Sequence, residues 1–300
     1  MDNFSDLSLF SLVARRESLA AAARELGITP PAVSKRLSQL ERRLGVRLIN
    51  RTTRRLSLTP EGEVYLANGL SILDDVKALE QLVTRGRAEP AGLLRVNASF
   101  GFGRCRIAPA LSEFVALYPA MKIQLQLTEQ PLSLGEDGFD VGIRFGKVPD
   151  ARLNARLLLR NKRIVCASPS YLKRYGAPNE PHELTKHSCI VLRENESAFG
   201  TWHFSRGNRS QMVKVDGCLT SNDGNSVLLW ALEGRGIAAR SEWEINEHLR
   251  RGDLVPLLSE WSLPQADIHA IYLERNVLTT KLRTFVDFLS EYLQRGKNQR

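Results

Sequence analysis

Apolar residues in the first 60 positions recur at helical spacing, break twice at turn-forming residues, and then give way to short β-prone runs. Leu7, Phe10, Leu12 and Val13 mark one face of a first helix expected to end near Arg16. Ser18 stands directly before "LAAAAREL", where its hydroxyl can accept from a free helix amide, so it is predicted to be an N-cap. The alanines at 20–23 keep this second helix thin, and Gly27 supplies a left-handed stop. Thr29 is predicted to cap a third helix, with Pro30 at the first helical position, where its missing N–H costs nothing. On that helix Val33, Leu37, Leu40 and Leu44 form a buried stripe, and Pro31, Ser34, Lys35, Ser38 and Arg42 form the opposite face, without an acid among them. Two helices joined by so short a turn, the second with a small, polar and basic outer face, make a helix-turn-helix whose second helix suits the major groove of DNA. A plain helical hairpin with a solvated face is the alternative. The following "VRLINRTTRRLSLTPEG" weighs against it, because two short strands around Arg51 and Arg54 would form a basic wing able to reach phosphates or the minor groove.

From Pro60 the period becomes helical again: Leu66, Leu70, Leu73, Val76, Leu79 and Val83 recur every three or four residues, with no break before Gly86. A long striped helix between two domains wants a partner helix. "RGRAEPAG" then reads as a hinge. Beyond it "LLRVNA", "KIQLQLT", "DVGIRF", "RIVCAS" and "CIVL" alternate with helical stretches such as "RIAPALSEFVALYP" and "NSVLLWALEG", which argues for parallel α/β units.

Composition adds direction to this outline. The 300 residues exceed the usual size of one domain, and the formal charge is +9. Residues 1–60 hold eleven Lys and Arg against five Asp and Glu, a net of +6, so the basic charge that favours an anionic partner is concentrated where the helix-turn-helix lies. Neither a secretory signal nor an apolar membrane-spanning run is evident, and a cytoplasmic location is expected. Cys105, Cys166, Cys189 and Cys218 form no CxxC pair and are expected to be buried or inert thiols. The five histidines fall in no HExxH, and there is no GxSxG or P-loop, so an enzyme is not expected; nor is a metal or cofactor.

The ordered run "FSLVARRESLAAAARELGITPPAVSKRLSQLERRLGVRLINRTTRRLSLTPEG" closely resembles the winged helix-turn-helix of LysR-type transcriptional regulators, and the likeness extends more weakly over the rest of the chain. It implies a DNA-binding domain at 1–59, a dimerisation linker helix and hinge at 60–89, and an effector-binding domain at 90–300. That last domain would be a two-lobed, periplasmic-binding-protein-like α/β fold, with lobe one at 90–163 and 267–300 and lobe two at 164–266. The implied partners are a double-stranded DNA operator and a second copy of the chain, in a homodimer or tetramer, with RNA polymerase as a further candidate and no membrane. Ser18, Thr29, Pro30, Pro31, Ser34, Lys35, Arg51 and Arg54 are the expected DNA-binding residues. "GFDVGIRFG", "DARLNARLL" and "SNDG" resemble the subgroup that includes regulators of D-malate and tartrate utilisation, which suggests a small hydroxy-acid effector.

Ligands of such α/β folds sit outside the carboxyl ends of the strands, so the strand-end residues are the candidate effector site. In lobe one these are Ser99, Phe100 and Gly101, then Thr128, then Arg144 and Phe145; in lobe two, Arg193, Trp202, Asn222 and Asp223. A guanidinium offers paired donors to a carboxylate, and Asp223 could receive a hydroxyl. Competing structural roles are an ion pair for Arg144 with an acid such as Asp140, helix capping for Asn222 and Asp223, and lobe core for Trp202. An aromatic-acid effector, and an architectural DNA-binding protein without a ligand, are the alternative functions.

Overall fold

This computed structural model describes residues 3–51, 56–85, 89–128, 138–146, 153–193, 200–273 and 279–298. The chain divides into two compact units, residues 1–93 and 94–300.

In the first unit α1 (Asn3–Arg16), α2 (Leu19–Leu26) and α3 (Pro30–Leu44) enclose Phe10, Val13, Ala22, Val33, Leu37 and Leu40. The antiparallel β1 (Ile49–Arg51) and β2 (Leu56–Leu58) follow, with Leu48 and Ile49 closing the same core. The wing tip, including Arg54, lies outside the described residues. Leu44, expected in the buried stripe, is exposed, because it is the last residue of α3 before the left-handed Gly45.

The long helix is α4 (Pro60–Arg85). Its stripe does not form one seam: Leu66 packs on the core of its own domain, Gly69 lies against Leu7, and Leu73 is buried within the single chain. Leu70 is at the margin, and the more exposed apolar positions are Val64 and Ile72. The side chains of Leu79 and Val83 lie outside the described residues.

The second unit has two lobes, each built on a five-stranded sheet. Lobe one begins with β3 (Gly92–Ala98), the turn α5 (Phe100–Phe102), a π-helical turn at Gly103–Ile107, and α6 (Ala108–Leu117). It continues with β4 (Met121–Leu127), β5 (Val141–Phe145) and β6 (Leu153–Leu159). Lobe two contains β7 (Arg163–Ala167), α7 (Pro169–Tyr175), a 3-10 helix at Pro181–Lys186 and β8 (Cys189–Leu192). After the hairpin of β9 (Thr201–Arg206) and β10 (Arg209–Lys214) come β11 (Thr220–Ser221), α8 (Gly224–Leu232), β12 (Ile237–Ser241), α9 (Glu242–Arg251) and β13 (Val255–Leu257). The chain then returns to lobe one as β14 (Ile268–Leu273) and α10 (Thr280–Asn298).

The sheets run β4-β3-β5-β14-β6 and β11-β8-β12-β7-β13. They are mixed, not parallel throughout as the alternation of elements suggests. β3 and β5 are parallel, but β14 is antiparallel to both β5 and β6; β12 is parallel to β8 and antiparallel to β7. The reason is the double crossover: the chain leaves lobe one along β6 and re-enters along β14, so adjacent strands run in opposite directions. Of the cysteines, Cys166 and Cys189 are buried, whereas Cys105 and Cys218 are exposed.

The crossovers are pinned together by Asn161. Its backbone N–H donates to Asp267 (2.8 Å), its carbonyl accepts from Ala266 (3.3 Å), and its side-chain amide donates to the Ala266 carbonyl (2.9 Å) and to Ser241 Oγ (3.3 Å).

Candidate functional site

The helix-turn-helix is held by contacts that set α3 at a defined angle. Ser18 Oγ accepts from the Ala21 amide (3.3 Å), and Gly27 closes α2 in the left-handed region (φ 67°). Thr29 sits at the N-cap of α3, but through its backbone: its carbonyl accepts from Ala32 and Val33, while its hydroxyl does not cap the helix. Pro30, Pro31 and Lys35 are exposed and Ser34 is half-exposed, so the small, polar, basic face read from the sequence is the solvent face of α3. Behind it the buried Asp6 carboxylate accepts from Arg36 (3.0 Å) and pairs with Arg43 (3.7 Å), tying α1 to the inner side of α3.

The wing is fastened to the same helix. Glu41 Oε1 accepts from the amides of Leu48 (2.9 Å) and Ile49 (3.2 Å), fixing where β1 starts. Thr59 completes the anchor: its amide donates to the Leu48 carbonyl (3.0 Å), its hydroxyl donates to the Arg47 carbonyl (2.7 Å), and the Gly62 amide donates to that hydroxyl (3.0 Å). Arg51 therefore ends a strand whose root is held by α3 and α4, although the position of its side chain is outside the described residues. Thr59 and Gly62 lie in "LTPEG" and Glu41 in "QLERRLG"; no pattern of charge or period in the sequence marks them for this role.

In the second unit the strand ends of the two lobes come together at one place. Ser99 occupies the N-cap position of α5, and the π-helical turn that follows lets α5 run into α6 without a break. A Cβ on Gly101 would lie 3.3 Å from Asn225 Oδ1 and 3.9 Å from Glu244 Oε1, both in lobe two. Arg104 pairs with Asp223 across the lobes (3.3 Å). The "SFGFG" and "SNDGN" loops are thus opposed. Thr128 hangs on β3 through its amide and the Ala98 carbonyl (2.9 Å). Arg144 is held through its guanidinium by Asn97 Oδ1 and the Ile143 carbonyl, and Asn97 is itself fully buried, bonded to the Gln126 carbonyl (3.0 Å). Asp140, the acid considered as an Arg144 partner, accepts instead from the Arg95 amide (2.8 Å) and pairs with Lys281 (3.9 Å). Phe145 meets Phe102 edge-on at 5.6 Å, and Phe102 in turn meets Trp243 at 5.1 Å.

Other candidates have structural work to do. Asp223 caps α8, accepting from the amides of Asn225 and Ser226 and from the Ser226 hydroxyl (3.0 Å), in addition to the Arg104 pair. Four donors converge on that carboxylate, which is the helix-capping role weighed against a ligand contact in the sequence, with a cross-lobe ion pair added. Asn222 beside it is exposed. Trp202 stands on the β9–β10 hairpin, paired with Val213 and packed on the lobe-two core; Arg193 lies just past β8, its amide bonded to the Ser221 carbonyl (2.8 Å).

The structure adds residues that the strand-end rule should have found at "IAARSEWE". Arg240, at the end of β12, is buried and donates through Nε to Glu244 Oε2 (2.8 Å). Gly224 leaves room for it, since a Cβ there would lie 2.2 Å from Arg240 Nη2. The side chain of Glu244 is 6% exposed, and its second oxygen, Oε1, is buried without a partner among the described residues. Burial pushes the Glu244 carboxyl up, with the Arg240 charge acting against it.

A winged helix-turn-helix joined by a long helix to a two-lobed domain with opposed strand ends is the architecture of a ligand-responsive DNA-binding regulator. Residues 4–63 match the family described as "Bacterial regulatory helix-turn-helix protein, lysR family", and residues 87–294 match the LysR substrate binding domain. The chain belongs to the LysR family of transcriptional regulators; it binds DNA, senses a small molecule, and is not an enzyme. It is 40% identical over 290 residues to the HTH-type transcriptional activator TtdR of Escherichia coli (strain K12), covering 96% of this chain and 93% of that one. It is likewise 40% identical over 288 residues to the HTH-type transcriptional regulator DmlR of the same strain, covering 96% and 94%. Among solved structures it is similar to CrgA, a LysR-type transcriptional regulator from Neisseria meningitidis, with a TM-score of 0.61 and 32% identity over 98% of this chain and 99% of that one. Among the described residues no helix is long and apolar enough to cross a membrane, and no cluster of His, Cys, Asp or Glu side chains is placed to hold a metal ion.

Proposed function

We propose that the regulator responds to a small hydroxy-carboxylate held between the lobes. The observation that carries this is the tethered Arg144 guanidinium at the end of β5, beside the Ser99–Gly101 turn, which faces lobe two. The fully buried Asn97 preorganises that guanidinium, so little side-chain freedom is lost when an anion docks. Phe100 and Phe145 offer apolar contacts around the head group, Thr128 a hydroxyl, and Arg193, Trp202 and Asn222 the opposite rim. The 40% identity to TtdR and DmlR, and the resemblance to regulators of D-malate and tartrate utilisation, favour a hydroxy acid over an aromatic one. Titrating D-malate, tartrate and benzoate against the wild type, Ser99→Ala and Arg144→Ala tests the reading. Loss of hydroxy-acid binding in Arg144→Ala is the expected result; undiminished binding in both variants overturns it.

On the DNA side, Ser34 and Lys35 read base edges or adjacent phosphates, Pro31 packs on the groove, and Arg51 and Arg54 work from the wing. Ser18, Thr29 and Pro30 fix the helix termini that face the backbone. Lys35→Ala and Arg54→Ala should each flatten the salt dependence of operator binding by about one unit of slope per lost phosphate contact. Unchanged affinity and slope would remove the groove assignment. Two copies associate through α4, with Val64 and Ile72 as the apolar contacts, to span a two-fold operator. RNA polymerase is a further partner in this reading, and the cytoplasm its location.

A further inference from the structure

One acceptor where the two lobes meet is left unmade. Glu244 lies in the first turn of α9, and its side chain is 6% exposed. Arg240 donates to Oε2 through both Nε (2.8 Å) and Nη2, which fixes the plane of the carboxylate and balances its charge. Oε1, by contrast, is buried and has no partner among the described residues. A desolvated acceptor in this state is costly, so a ligand group that donates to it recovers an interaction that burial has removed.

The Gly101 turn of lobe one stands opposite. The point where a Cβ on Gly101 would lie is 3.9 Å from Oε1 and 3.3 Å from Asn225 Oδ1, so the turn passes the carboxylate with room for about one heavy atom. Gly101 does not occupy the left-handed region, and the turn therefore does not need glycine for its conformation. What the missing side chain leaves is this space. The neighbouring Asp223 is no rival acceptor, since four donors already converge on it.

We propose that Glu244 is the specificity-determining residue of the cleft: the hydroxyl of a hydroxy acid enters the space beside Gly101 and donates to Oε1, while the acid's carboxylate rests on Arg144. The assignment rests on the cleft reading given above. A dicarboxylate without a hydroxyl can use the same guanidinium, but it leaves Oε1 unmade. A ligand with a methyl at that position covers the oxygen without satisfying it. Sites with a buried polar group of this kind reject analogues that lack the matching group far more strongly than apolar pockets separate ligands one methylene apart. Because Oε1 belongs to lobe two and Gly101 to lobe one, the hydroxyl sits where the lobes meet. Hydroxy acids then favour the lobes' approach to a degree that plain dicarboxylates do not.

The test is calorimetric titration of the full-length protein with D-malate, tartrate, succinate and methylsuccinate, on the wild type, Gly101→Ala, Glu244→Gln and Arg144→Ala. Succinate keeps both carboxylates of malate, and methylsuccinate replaces the hydroxyl by a group of similar size with no proton to donate. D-malate or tartrate should bind the wild type about tenfold or more tightly than either analogue. Gly101→Ala puts a methyl in the space, which fits once the Asn225 side chain gives by a few tenths of an ångström. That variant should melt as the wild type does and lose the preference for the hydroxyl. Glu244→Gln should also lower the preference; where it does not fold, Gly101→Ala decides. Arg144→Ala should weaken all the acids alike. Equal binding of hydroxy acids and succinate by the wild type, with both weakened by Arg144→Ala, overturns the Glu244 assignment and leaves the cleft reading standing. A preference that survives in Gly101→Ala overturns the assignment as well. Hydroxy-acid binding that is absent, or that Arg144→Ala does not diminish, removes the cleft reading and the assignment together.

Discussion

Replacing Gly62 by alanine sets two opposing effects against each other, and the structure decides between them. Gly62 lies in the first turn of α4 with an ordinary helical φ, so on propensity alone alanine gains about 1 kcal/mol. The added Cβ, however, would lie 2.0 Å from the Leu48 carbonyl oxygen, whereas real Cβ contacts stay beyond 3.0 Å. Backbone, not a flexible side-chain end, must move by at least an ångström. The hydrogen bond from Thr59 N to that carbonyl is 3.0 Å long and would stretch to about 4 Å, past any useful geometry. The Thr59 hydroxyl bonds to Arg47 and Gly62 are strained with it. Two lost bonds at about 1 kcal/mol each, with overpacking at about 1–3 kcal/mol, outweigh the propensity gain and leave a net loss of roughly 2–4 kcal/mol. Urea denaturation followed by far-ultraviolet circular dichroism measures it, and operator affinity should fall in parallel because the root of the wing shifts. Gly45→Ala is the companion: nothing lies within 4 Å of its Cβ, but its φ of +72° costs an L residue about 1–2 kcal/mol. A Gly62→Ala variant as stable as the wild type would refute the reasoning.

Three further outcomes follow from the same structure. Glu41→Ala removes the acceptor of the Leu48 and Ile49 amides and should cost about 1–3 kcal/mol, with operator binding weaker and less steeply salt-dependent than that of the wild type as wing contacts to phosphate are lost; equal stability in urea would show the wing root to be held elsewhere. Ile72→Glu should weaken self-association with folding intact, whereas Leu73→Glu should unfold its own domain; sedimentation and circular dichroism together separate the two, and a folded monomer from Leu73→Glu would restore the seam read from the sequence. Burial pushes the Cys166 and Cys189 thiols up to about 12, so roughly one in ten thousand is thiolate at pH 8. Iodoacetamide at that pH should modify the exposed Cys105 and Cys218 in the native protein and all four cysteines after denaturation; native adducts on Cys166 would contradict its burial.

Much of the DNA-binding half was legible because its signals are local. A cap, a glycine stop, an N1 proline and a period of three to four residues each act within one or two turns, and α2 and α3 begin and end where those residues stand. The strand-end rule likewise located the opposed "SFGFG" and "SNDGN" loops. What was missed depends on contacts far apart in the chain. Leu73 carries the same apolar signal whether it meets a second copy or its own domain. Nothing in the sequence around Asp223 points to Arg104, 119 residues away, as its partner across the lobes. Arg240 and Glu244 would be expected on the surface as charged residues at a strand end and an α9 first turn; only the space left by Gly224 puts them inside. The mixed sheet directions reflect the double crossover, which no window of local periodicity contains.

The Asn161 clasp has a mechanical consequence. Two strands that cross between rigid bodies could in principle shear past one another, twist separately and bend. Bonded to each other through one residue's amide, carbonyl and side chain, and to the start of α9 through Ser241, they act as a single flexure. A ligand that changes the bend at these crossovers changes the angle between the lobes, and two ligands that both do so must influence each other's affinity reciprocally, by the same factor in both directions.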